Sequence, residues 1–136
     1  MEEANNGRGK QMIWALRIVF WLQLLAGIGL SRAFFGMGRG LGQPGGELML
    51  HLILGIVGAV LAIVVLRPFP QSGANTMTMV AGLFPLIPLI IGLAMEYGGL
   101  KGMVPVAAIH SVLGVAAVAL IEMAVARQRR TLRAAV

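Results

Sequence analysis

The chain has 136 residues, 58% of them hydrophobic and only 12% charged, where an ordinary soluble domain has about 25% charged. It contains no cysteine, which excludes covalent c-type haem attachment, iron–sulfur ligation, thiolate zinc sites and disulfides. The formal charge is +6, but the basic residues flank apolar runs, so they read as topology signals of one membrane domain, 1–136, and not as a nucleic-acid surface.

Four apolar segments follow one another. The first, about residues 12–35, carries Arg17 near its start and Arg32 near its end, both close enough to an interface to snorkel. Trp14 and Trp21, seven apart on one stripe of it, read as interface and packing residues. The second, 48–66, has His51 as its only strongly polar member and is stopped by Arg67-Pro68-Phe69-Pro70. The third, 77–95, contains Pro85 and Pro88, which predict a kink. The fourth, 104–126, contains His110 and, near its far end, Glu122, expected to pair with an arginine or to snorkel. Each segment is long enough to cross a hydrocarbon core of about 30 Å. The intervening stretches are short, and that around 36–46 holds six glycines, so consecutive helices are expected as antiparallel neighbours. The predicted fold is an all-α integral membrane four-helix antiparallel bundle made of two similar helix hairpins.

Basic residues set the orientation. Arg8, Lys10, Arg17, Arg67, Arg127, Arg129, Arg130 and Arg133 fall on one side, and Arg32, Arg39 and Lys101 on the other. That imbalance predicts both termini in the cytoplasm of a multi-pass, prokaryotic inner-membrane protein, with both histidines near the outer surface.

His51 and His110 are the only histidines, and each lies inside a span. An ionisable side chain there is a functional-site hypothesis by default. The two surroundings echo each other as His51-Leu-Ile-Leu-Gly55 and His110-Ser-Val-Leu-Gly114, with glycine one helical turn after histidine. His51 precedes Arg67 by 16 residues and His110 precedes Arg127 by 17. Both imidazoles therefore sit about 24–26 Å from the arginine end of their helices. Equal depth beside a flat glycine patch suits one planar ligand between two helices, and a b-type haem with His51 and His110 as axial metal ligands is the expected cofactor. Separate interhelical hydrogen bonds and a chlorin pigment or another metal are the alternatives. Arg32 is the expected partner of a haem propionate, since guanidinium groups recognise carboxylates at a surface. Glu47, four residues before His51, is either a proton relay or a charge favoured at a helix N-terminus.

The stretch Gln23-Leu-Leu-Ala-Gly-Ile-Gly-Leu-Ser-Arg32, the glycine-rich loop, and His51 with the following Leu-Ile-Leu-Gly-Ile-Val-Gly resemble one four-helix half of the haem A synthase family. The resemblance covers about residues 16–127 and implies a haem-binding bundle with His51 and His110 as ligands. The family's glutamate stands three residues before the second-helix histidine, whereas Glu47 stands four before, and the family's outer-loop cysteines are absent.

Two axial histidines leave iron no open position, so electron transfer as a small cytochrome b or as a subunit fits better than oxygen activation. The expected partners are the lipid bilayer, other membrane subunits or further copies of the chain, and a quinol or periplasmic redox donor. A haem-modifying enzyme and an accessory or pigment-binding subunit of a respiratory or photosynthetic complex are the competing functions.

Overall fold

The computed structural model describes residues 2–34, 44–69, 74–100 and 103–134, with side chains at 10–30, 46–69, 74–100, 103–128 and 130. Five helices carry these residues: α1 (Glu2–Phe34), α2 (Pro44–Leu66), α3 (Thr76–Leu83), α4 (Leu86–Tyr97) and α5 (Val104–Ala134). No strand occurs among the described residues. Four stretches are long and apolar enough to cross a bilayer: Lys10–Leu30, Gly46–Leu66, Thr76–Tyr97 and Val104–Gln128. They coincide with the four expected segments and fit a multi-pass membrane bundle. α1 and α5 run past their apolar parts at the arginine end. The α5 extension is mostly Arg, Gln, Leu and Ala, good helix formers that need no hydrocarbon to stay helical, whereas that of α1 also includes Asn5, Asn6, Gly7 and Gly9.

The third span is α3 and α4 joined at a kink, as its prolines require. Asn75 caps α3, its side-chain oxygen accepting from the Thr78 N–H at 3.1 Å. The Phe84 N–H still donates to the Val80 carbonyl at 2.8 Å. Pro85 has no N–H to give, and the next bond runs from Ile87 N–H to the Phe84 carbonyl at 3.0 Å, one residue shorter than α spacing. α2 ends where Arg67 takes a left-handed φ of 46°, turning Pro68 inward. Pro68 is fully buried against Gly82 of α3, where a Cβ would lie only 2.6 Å from the pyrrolidine ring.

α1 packs on α2, α2 on α3 and α4, these two on α5, and α5 back on α1, closing a four-membered bundle. The pairings Gly27–His51, Gln23–Gly55 and Phe20–Gly58 step in opposite directions along α1 and α2, which makes the two helices antiparallel. Outward positions are large and apolar: Leu25, Ile90 and Val112 are 60%, 63% and 68% exposed. In water such a surface would aggregate; against lipid it is the solvent-matched face.

The interior is uneven along its length. At the arginine end Leu16, Phe20, Ala62, Leu66, Ala81, Ala117, Ile121 and Val125 form a continuous buried core. At the histidine end the helices line a partly open cavity of about 540 Å³.

Candidate functional site

The cavity is walled mainly by leucine and glycine, with His51, His110, Gln23, Ser111 and Glu96 as its polar members. His51 enters from α2 and His110 from α5. Their ring centroids lie 6.0 Å apart, with the planes at 74°. Equal depth on two separate helices thus becomes direct juxtaposition, as the sequence spacing predicts.

Each imidazole is seated on a glycine of the helix before its own. A Cβ at Gly27 of α1 would approach His51 Cε1 to 3.0 Å, and one at Gly92 of α4 would approach His110 Cε1 to the same 3.0 Å. The two hairpins therefore hold their histidines in matching ways. The glycines following each histidine do something else. Gly55 makes room for Gln23, whose Nε2 would be 3.0 Å from a Cβ there, and Gly114 faces open space; both line the cavity. Gly27 and Gly92 leave no signal in the repeat around each histidine, because they lie on the neighbouring helix. Asking which small residue of the preceding helix falls at histidine depth would have found them.

Polar satisfaction is incomplete inside the cavity. Gln23 Nε2 lies 3.4 Å from His51 Nε2, while the Gln23 Oε1 atom has no hydrogen-bond partner among the described residues. His51 Nδ1 and His110 Nδ1 are likewise buried and without a partner. Ser111 spends its hydroxyl on the Ala107 carbonyl of its own helix, at 2.9 Å. Buried polar atoms without partners are rare in folded proteins, and a bound water, ion or ligand is one way such atoms are satisfied.

These features can be tested against a tetrapyrrole. The two imidazoles, with centroids 6.0 Å apart, are close enough for one bound group to engage both. Among the described residues no three His, Cys, Asp or Glu side chains converge on a point. A bare metal ion usually needs three or four protein ligands. A macrocycle brings four nitrogens of its own and needs only two. The two-imidazole donor set fits haem, whereas the expected flat glycine patch is only partly open: Gln23 covers Gly55, and Gly114 alone faces free space.

Other expected members of the site divide. Arg32 lies in α1, but its side chain is outside the described residues, as are Arg39 and Lys101. Glu47 does not simply face water: its Oε1 is buried and without a partner among the described residues. At the opposite end Glu122 accepts from Arg17 Nε at 2.8 Å and from Trp21 Nε1 at 3.0 Å. The Arg17 guanidinium lies 4.9 Å above the Trp14 ring. Glu122 is thus paired, as expected, and both tryptophans serve this α1–α5 clamp.

Comparison with protein-family models, curated proteins and solved structures gives no match for this chain. What the site can do is therefore read from its own geometry.

Proposed function

We propose that the protein is a small membrane cytochrome b, holding one b-type haem between His51 and His110 and passing electrons singly to and from a quinol, a periplasmic donor or a partner subunit. The observation that carries this reading is the convergence of the only two histidines, 6.0 Å apart in one glycine-walled cavity, each with an unpartnered ring nitrogen. A haem bound there supplies one-electron redox chemistry. His51 and His110 would hold the haem, and ligation by two imidazoles would favour electron transfer over binding of a substrate. Gly27 and Gly92 orient the two imidazoles by contact, and leucines supply much of the apolar wall that would face the ring. In this reading both termini are cytoplasmic and the haem lies near the outer surface, on the strength of eight basic residues against three. A reporter fused after Val136 is expected to be active only on the cytoplasmic side; periplasmic activity would reverse the orientation.

A haem-modifying enzyme of the haem A synthase kind is the second reading, favoured by the Glu96 carboxyl group at the cavity wall. The deciding experiment is an optical spectrum of purified protein, oxidised and then reduced with dithionite. A sharp reduced α-band is expected, lost in His51→Ala and in His110→Ala. Protein that takes up no haem when supplied with it overturns the proposal.

A further inference from the structure

The seam between α1 and α5 has two parts. Toward the arginine end it is clamped: Glu122 accepts from Arg17 and from Trp21, and the fully buried Leu16 and Ile121 lie behind. Seven residues on from Trp21 and seven back from Glu122, on the same faces of their helices, stand Ile28 and Val115. They lie about 10 Å nearer the histidine end. Behind this pair is the cavity, since both side chains line it. They are also 49% and 54% exposed, and no other residue lining the cavity is exposed. Residues that border both the cavity and the outside mark its mouth. Beside Val115, a Cβ at Gly114 meets nothing within 4 Å, so the opening continues inward past that position. Ile28 and Val115 both lie inside apolar spans, Lys10–Leu30 and Val104–Gln128, where the surrounding solvent is hydrocarbon.

We propose that this mouth is a lateral window to the bilayer and that the cavity takes its ligand from lipid: a mainly apolar, membrane-dissolved molecule passes between Ile28 and Val115. The identity of that ligand rests on the haem reading above; the route rests on the seam alone. An apolar rim offers a charged or hydrated solute nothing in exchange for its water, whereas an apolar ring crosses it at little cost. The polar lining residues Gln23, His51 and His110 stand behind the rim, none of them exposed, so polar contacts begin only once the ligand is inside.

The test uses the full chain, free of haem, in lipid vesicles. The chain has no cysteine, so Gly114→Cys places a single thiol in the cavity, where there is room for a small trifluoromethyl tag. The fluorine resonance is read with a phospholipid carrying a nitroxide midway along its acyl chain, and separately with a water-soluble paramagnetic chelate. The lipid nitroxide is expected to broaden the resonance more than the chelate does. Adding Ile28→Trp should remove most of that broadening by filling the window. Leu25→Trp, an equally lipid-exposed change away from the cavity lining, should leave it as it was. Stronger broadening by the chelate, or equal lipid broadening with and without Ile28→Trp, overturns the window whether or not the protein binds haem. With haem supplied in the vesicles, Ile28→Trp and Val115→Trp should each slow its uptake without lowering the final content. Uptake at the wild-type rate in both variants also overturns the window, while a wild-type protein that takes up no haem overturns the haem reading and leaves the fluorine result to decide the route.

Discussion

The two ends of this bundle are made from the same helices and are filled in opposite ways. At the arginine end, alanines at 62, 81, 117 and 124 bring the backbones together, and Leu16, Ile121 and Val125 fill what remains. At the histidine end, glycines at 27, 55, 92 and 114 line a cavity of about 540 Å³. Small residues in membrane helices are usually read as contacts that let backbones approach. Here alanine does that together with Gly58 and Gly82, whereas Gly27, Gly55, Gly92 and Gly114 hold imidazoles and an amide or leave room. In lipid there is little hydrophobic drive to close such a gap, so its cost is mainly the dispersion contacts its lining gives up. A bound planar ligand would restore them.

The sharpest way to break this comparison is at the histidines. His51→Ala and His110→Ala are each expected to abolish the low-spin reduced α-band completely while leaving the packed end folded, as read by optical spectra beside helical circular dichroism. Next comes Gly114→Leu. A Cβ at Gly114 meets nothing within 4 Å, so leucine should be accommodated and should fill the cavity. Most haem should be lost with the thermal stability of the haem-free protein unchanged. Equal haem content in mutant and wild type would show that the ring does not lie beside this helix. The packed end should respond in the reverse sense. Leu16 is fully buried, and Leu16→Ala is expected to destabilise the protein by about 2–5 kcal/mol through the void it leaves, with or without haem. Denaturant unfolding in detergent measures it. The smallest effect is expected at Gly82→Ala, where the added methyl meets buried Pro68 at 2.6 Å. Overpacking of this kind costs about 1–3 kcal/mol, and relief by a second change, Pro68→Ala, would confirm the clash as its cause.

Segment by segment, the architecture was legible because hydrocarbon imposes a simple rule. An unbroken apolar run of about 20 residues must be a helix that satisfies its own backbone. That rule places all four spans, and the Arg67-Pro68 stop and the Pro85 kink follow from proline's missing donor. The meeting of His51 and His110 was also legible, since equal distance from a flanking arginine fixes equal depth. Gly27, Gly92 and Gln23 were not, because no repeat along one helix reveals which neighbour faces a given residue.

The sequence alone therefore determined what is local or set by the solvent: helices, their lengths, their breaks and the depth of each polar residue. Tertiary structure decided rotation and partnership. It decided that Gly27 and not Gly55 touches the His51 ring, that Gln23 reaches His51, and that Arg17 spends its charge on Glu122. The physical reason is that all faces of a membrane helix are apolar. The pattern that tells a soluble helix which side is inward is nearly absent, and only close packing of small and large side chains settles it.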